Sequence, residues 1–290
     1  MLPPARVDVI LARRARRAVV FRRGPSKWTL VLRWDTDTDT FTAGDWFHGR
    51  IYTRRCDITP DGRHLVYFAA KFWSQRQTQL NFGHSWTAIS EMPRLEPLGL
   101  WAKEDCWFGG GLFSTDDAVE LNERPDTLVD AAGHHRFQVS WNDRAGGEDE
   151  PIYRRRLERD GWETVQEIEA EHQGGNRGFE TTQVQLRRKR GLRLPTGGAP
   201  VHRHLEATWA IERYESIRTW SVLDEHGTRH PIDGATWADW DQRGRLVVAR
   251  DGSIFAGRFT DGTLTFDQLI DLDAIVPPGS GPSPPPSGPR

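Results

Sequence analysis

Cysteine is nearly missing: the 290-residue chain holds two, Cys56 and Cys106. Two cannot build a disulfide framework, and no Cys-x-x-Cys spacing supplies a zinc site, so both are expected as buried thiols of a cytoplasmic protein. No apolar run approaches the roughly 18 residues of a membrane span. The opening "MLPPARVDVILARRARRAVVF" breaks its short apolar runs with arginine, where a secretion signal needs an unbroken one. An excess of one charge is lacking too. With 39 basic and 41 acidic residues the net charge is -2, which excludes wholesale attraction to nucleic acid and an acid-rich disordered chain alike.

Helical periodicity is equally scarce. What is present is aromatic weight: thirteen Trp and thirteen Phe against four Tyr and two Met. Large flat side chains suit the half-buried surfaces of sheets. Runs such as "WTLVLRWD", "RHLVYFAAKFW", "RFQVSWND", "TTQVQLRR", "RLVVAR" and "SIFAGRF", bounded by Asp-Gly, Asn-Asp or Gly-Gly, read as strands. The chain is predicted all-β. Its last stretch, "VPPGSGPSPPPSGPR", has almost nothing to bury and is expected as a disordered tail over 277–290.

The chain also compares with itself. "SIFAGRFTDGTLTFDQLIDL" (253–272) matches "PIYRRRLERDGWETVQEIEA" (151–170), and "CDITPDGRHLVYFAA" (56–70) shares its Asp, Gly turn and Leu-Val exit with "ADWDQRGRLVVARDG". "LWAKEDCWFGGGLF" (100–113) aligns with "DWDQRGRLVVARDGSIF" (239–255), which predicts the triple glycine as a turn between adjacent strands. A phosphate loop would continue into a helix with Gly-Lys-Ser/Thr, and Leu112-Phe113-Ser114 stands there instead. Units of strand, turn and strand every forty to fifty residues predict a β-propeller, five-bladed for this length. Blades are expected over 17–48, 57–95, 98–132, 135–190 and 204–275. The propeller domain would then span 17–276, behind a basic extension over 1–16. The competing architecture is a pair of β-sandwiches.

"CDITPDGRHLVYFAA" and "WADWDQRGRLVVARDGSIFAGRF" resemble the degenerate WD40-like and TolB-like propeller blades, in which a "SPDG" turn precedes a strand. About a third of the chain carries that resemblance. The longer string from "RRGPSKWTLVLRWD" to "LVYFAAKF", with "SWTAIS" and "LWAKEDCWFGGGLF", is similar to an uncharacterised bacterial protein family with no assigned activity. Both resemblances imply a fold and leave activity open, since propellers host many functions.

Residues 1–35 hold nine cations, among them Arg13, Arg14, Arg16, Arg17, Arg22, Arg23 and Lys27, against Asp8 and Asp35. Arg187, Arg188, Lys189 and Arg190 form a second cluster. On one face the two would bind an anion or an acidic partner; as separate solvated strand and loop positions they would bind nothing. "RRGPSKW" offers backbone amides and Lys27 to an anion, or is a bare turn. Asp57, Asp105 and Asp239 enter corresponding parts of their blades. Two of them across an axial pocket would suit a glycoside hydrolase of the five-bladed type, while an Asp at that place also ties turns. His134-His135 and His202/His204 lack an identifiable third ligand, so no metal is expected, and no cofactor either. No Gly-x-Ser-x-Gly elbow appears. The tryptophans would serve a stacking pocket or, at matching blade positions, the core. The expected protein is a monomeric, non-catalytic β-propeller that binds or scaffolds a protein partner. A glycoside hydrolase and a nucleic-acid-binding propeller using the Arg clusters are the alternatives.

Overall fold

A computed structural model describes residues 3–24, 27–71, 84–125, 130–132, 136–142, 146–170, 181–192, 201–212 and 215–278. The chain is all-β, with five largely antiparallel sheets. The first sheet runs β1 (Arg6–Leu11), β2 (Arg17–Arg23), β3 (Trp28–Asp35) and β4 (Thr40–His48), in that order. The second comprises β5 (Arg50–Ile51), β6 (Asp57–Ile58), β7 (His64–Ala70), β8 (Ser85–Glu91) and β9 (Pro97–Lys103), with β5 and β6 both pairing β7. The third holds β10 (Gly111–Phe113) and β11 (Ala118–Leu121). β12 (Asp130–Ala132) then returns to the second sheet beside β9, and β13 (Gln138–Trp141) pairs β11 in parallel. A helix, α1 (Glu150–Arg159), follows. The fourth sheet is β14 (Trp162–Ala170), β15 (Thr181–Leu192), β16 (Val201–Glu212), β17 (Glu215–Leu223) and β18 (Arg229–Pro231); the fifth is β19 (Ala235–Trp240), β20 (Leu246–Arg250), β21 (Ser253–Thr260) and β22 (Thr263–Asp271).

Strand side chains alternate between faces, so a strand covered on both sides reads as one apolar run. β2 shows this: Val19 and Phe21 face a core shared with Ile58, Leu65 and Tyr67 of the second sheet, while Ala18 and Val20 face Trp237, Val247 and Ala249 of the fifth. β7 splits the same way, with Leu65 and Tyr67 towards the first sheet and Val66 towards Phe113, Val119 and Leu121 of the third. β20 sends Val247 and Ala249 to the first sheet, and Leu246 and Val248 to Trp162, Leu205 and Val222 of the fourth. Each fully buried side chain of this kind is worth about 1.5–3 kcal/mol. The sheets thus share cores in the order third, second, first, fifth, fourth. Near its end the chain is tied back to the first sheet, where Ala5 N donates to Asp273 Oδ1 at 2.8 Å and Arg22 Nε to Leu272 O at 3.0 Å.

Several expectations need correction. Residues 6–11, assigned to an extension, form β1, which touches β6, β19 and β20. "PIYRRRLER", matched to a strand, is helix α1: Pro151 opens it, and its buried residues Ile152, Tyr153 and Arg156 fall at helical spacing. The expected unit 204–275 spans two sheets, and 98–132 is divided between the second and third.

The glycine run is not a turn between paired strands. It connects β9 to β10, which lie in different sheets, so the alignment of 100–113 with the β19–β20 hairpin fails. Gly109 and Gly110 do have positive φ, 140° and 86°, but close approach demands glycine as well: a Cβ on Gly109 would stand 2.2 Å from the Phe68 ring and one on Gly110 2.1 Å from Arg55 O. The β6–β7 and β19–β20 hairpins do correspond, each turning through a positive-φ glycine, Gly62 and Gly244. The tail from residue 279 lies outside the described residues. Among those described, no helix is long and apolar enough to cross a membrane.

Candidate functional site

A cavity of about 560 Å³ lies among β1, α1, β17 and β19, with the short helical turn Thr53–Arg55 beside it. α1 contributes Tyr153, Arg156 and Arg159 to its lining. Tyr153, Arg156 and Arg159 follow one another at intervals of three residues, which places them along one side of a helix. Arg54, Arg156 and Arg218 surround the Tyr153 ring, their guanidinium carbons 5.5, 5.4 and 5.0 Å from its centroid. Arg156 donates to Thr53 O at 3.1 Å and also to Cys56 O. Burial, then the neighbouring charge of Arg218, pushes the Arg54 pKa below its ordinary value. The rest of the lining is partly aromatic: Trp162 and Trp220 meet edge to face at 5.9 Å, and Trp237 and Trp240 also line the space.

Two predicted residues, Arg13 and Asp239, line the cavity. Arg13 Nη2 donates to Phe113 O at 2.7 Å, and burial followed by the charge of Arg159 lowers its pKa. Asp239 Oδ1 accepts the Trp240 N–H at 2.7 Å. The other two candidate carboxylates do not join it. Asp57 is fully buried and held bidentately by Arg159, at 2.6 and 2.9 Å, while its Oδ2 also accepts Phe113 N at 2.8 Å. Burial would lower the Arg159 pKa, but the hydrogen bonds and charges of Asp57 and Asp160 together outweigh it and raise it. Asp105 lies half-exposed in the β9–β10 connection, where Oδ1 accepts Trp107 N at 2.7 Å and stands 3.5 Å from Lys103 Nζ.

The rest of the N-terminal basic segment separates into two places. Six residues of strand put Arg17 and Arg23 about 20 Å apart. At one end, turns from four sheets lock together: Arg14 N donates to Pro60 O at 2.9 Å, Arg17 Nη1 to Asp61 O at 3.4 Å, and Asp61 N to Asp116 Oδ1 at 2.9 Å. Gln242 Nε2 donates to Ala12 O and Arg17 O at 2.8 and 2.9 Å, and Arg245 reaches both Asp39 oxygens at 2.8 Å. Arg14 and Arg16 pair with Asp116 and Asp37 on this surface.

At the other end Arg22 is buried, its guanidinium 5.5 Å over Trp46, and burial lowers its pKa and that of Arg23. Lys27, just before β3, accepts Gly49 N at its carbonyl at 2.8 Å. Arg187, Arg188, Lys189 and Arg190 lie on β15, with side chains outside the described residues. His134 and His135 also fall outside. His202 is exposed on β16, and among the described residues no group of three His, Cys, Asp or Glu is placed to hold a metal.

Both cysteines are free. The Cys56 thiol donates to Tyr52 O at 3.2 Å, and burial pushes its pKa up to about 12; that of Tyr52 is raised by burial and by Cys106 beside it. Sequence reasoning missed Arg54, Tyr153, Arg156, Arg159 and Arg218. For the α1 residues the signal was Pro151 followed by the i, i+1, i+4 spacing of Ile152, Tyr153 and Arg156; nothing local marks Arg54 or Arg218. No family model matches the chain, and no curated protein or solved structure matches it.

Proposed function

We propose that the chain is a five-bladed β-propeller that acts as a non-catalytic binding module for a protein partner. The architectural support is the order in which the sheets bury one another. Third, second, first, fifth and fourth share successive cores, and α1 touches both β10 of the third and β14 of the fourth. A helix that touches both end sheets supports reading the five as a ring, and radial closure is how a propeller protects its edges. The blade-like hairpins β6–β7 and β19–β20 carry the resemblance to WD40-like and TolB-like blades.

The locked turn surface carries the binding reading. Arg14 and Arg16 stand there with side chains 65% and 58% exposed, each in a surface ion pair. Such pairs are worth about 0–1 kcal/mol and exchange readily for an incoming carboxylate. An acidic segment of a protein partner is the complement. The test is a tagged pull-down from the native host, with wild type and the R14E/R16E variant, at low and high salt and with nuclease. A stoichiometric protein retained by wild type, insensitive to nuclease and lost from the variant is expected. Recovery of the chain alone, or of nucleic acid alone with steep salt dependence, overturns the reading.

A further inference from the structure

We infer that the cavity beside α1 is a binding site for a neutral sugar, whose hydroxyl oxygens accept the indole N–H groups of Trp220 and Trp240 and whose C–H face lies against the tryptophans. At about 560 Å³ the space falls within the range of cavities that enclose small ligands and has room for a monosaccharide or a disaccharide. Trp220 and Trp240 both line it, each 6% exposed, and their indole nitrogens are buried donors that find no acceptor among the described residues. Buried polar groups are nearly always paired, and a buried N–H without a partner is costly. Indole donates and cannot accept, so the ligand must bring lone pairs to these two residues.

The charges of the lining select against an ion. Among the described residues five arginines and four aspartates line the space, and they are engaged within the protein. Arg159 Nε donates to Asp160 Oδ1 at 2.9 Å, Thr53 Oγ1 to Asp8 Oδ2 at 2.9 Å and Arg245 Nε to Asp241 Oδ2 at 2.7 Å. Arg54 and Arg218 lie against the Tyr153 ring. An anion would meet the carboxylates and a cation the guanidiniums, so neither gains enough to offset its lost hydration. A hydroxyl suits both signs, because it accepts from an N–H and donates to a carboxylate. A carboxylate has about four lone-pair sites, so Asp8 and Asp160 can accept from a ligand and keep their present bonds. The aromatic geometry narrows the class further. Trp162 and Trp220 stand at 72°, their centroids 5.9 Å apart, and form a corner instead of a parallel slot. A slot would clamp a flat heteroaromatic ring, whereas a corner suits a puckered ring with apolar C–H bonds on its faces and hydroxyls round its rim. The site requires neither a protein partner nor closure of the sheets into a ring, and its test stands apart from theirs.

The test is titration of the purified full chain, by calorimetry and tryptophan fluorescence, with glucose, galactose, mannose, N-acetylglucosamine, maltose and lactose, and with glucuronate, galacturonate, glucosamine and galactosamine as charged counterparts. Saturable one-to-one binding of at least one neutral sugar is expected, with a change in fluorescence, and the charged counterparts should bind it roughly 10-fold or more less tightly. W220F and W240F keep an aromatic ring and lose the donor, and each should weaken binding of that sugar by roughly 10-fold or more. W107F, at an exposed position in the β9–β10 connection, should leave it unchanged. Urea unfolding of each variant separates a lost contact from a lost fold, and the preference of the wild-type chain for neutral over charged sugars tests the site without any variant. Lack of saturation with all the neutral sugars, a charged counterpart bound as tightly, or full affinity in both W220F and W240F would refute the site.

Discussion

Removing Arg159 should destabilise the fold much more than removing the charge of the carboxylate it holds. The Arg159→Ala variant deletes two charge-assisted bonds, of 2.6 and 2.9 Å, to a carboxylate with no solvent exposure. Asp57 would keep one donor, Phe113 N at 2.8 Å, for a full buried charge. Breaking a buried pair from one side costs about 3–5 kcal/mol, most of it the unpaired charge left behind. In Asp57→Asn the charge disappears, the amide oxygen can still accept from Phe113, and Arg159 retains Asp160 at 2.9 Å and Phe113 O at 3.2 Å. That variant should lose only about 1–2 kcal/mol. The double variant R159A/D57N should be more stable than R159A alone, because no buried charge remains to be stranded. Urea unfolding of the four proteins closes the cycle. An R159A cost below about 1 kcal/mol, or a double variant less stable than R159A, would refute the reasoning. Since Asp57 lies on β6, Phe113 on β10 and Arg159 on α1, the same cycle measures how firmly the helix is fastened to the second and third sheets. A catalytic Asp57 would instead leave D57N as stable as wild type.

Lys103 and Glu123 form a second buried pair, 2.9 Å apart with both side chains fully buried, and Thr87 Oγ1 donates to Glu123 at 2.7 Å. K103M and E123Q should each cost about 3–5 kcal/mol in urea unfolding, with the apolar double variant K103M/E123M recovering part of the loss; singles within 1 kcal/mol of wild type would contradict this. Gly109→Ala and Gly110→Ala should each cost about 3 kcal/mol or more, from contacts near 2 Å at positive φ, while Gly262→Ala, also at positive φ but with nothing within 4 Å, should cost only about 1 kcal/mol. Comparable losses at all three would show that backbone conformation alone requires the glycines. Asp224 is held down at about 2 by His230 and by the N–H groups of Thr228 and His226. A folded pKa below the unfolded value of about 3.9 means that its stabilising contribution is complete above about pH 4 and disappears as the pH falls towards 2. A carboxyl NMR titration of Asp224 with its midpoint near 4 would contradict that.

The sequence reveals the strands and conceals how they are grouped, and the reason is physical. A strand is announced by its own residues, as in "RAVVF" or "LVVAR", and its turn by the residues that tie it. Asp224 accepts the N–H groups two and four residues on, with Gly227 between them at positive φ, and Asp241 does the same with Gly244. Those signals survive in any context, which is why the β6–β7, β19–β20 and β21–β22 hairpins were legible. Assignment to a sheet depends on partners far along the chain. β12 returns to β9 across the third sheet, and β1 joins β2 from a segment whose arginines masked its alternating Val7 and Val9. The site is of this second kind. Arg54 precedes β6 by a few residues, Tyr153 stands on a helix whose sequence "PIYRRRLERDG" aligns with the strand and turn "SIFAGRFTDG", and Arg218 faces the cavity from β17. Only the packing that brings α1 between the third and fourth sheets places all three at one ring. The cations that are conspicuous in the sequence, Arg13 to Arg17, are conspicuous because they are contiguous, and the hairpin sends two of the four, Arg14 and Arg16, outward to surface aspartates. Convergence in space leaves no comparable run in sequence, so the strongest charge signal along the chain and the arginines gathered at Tyr153 are different residues.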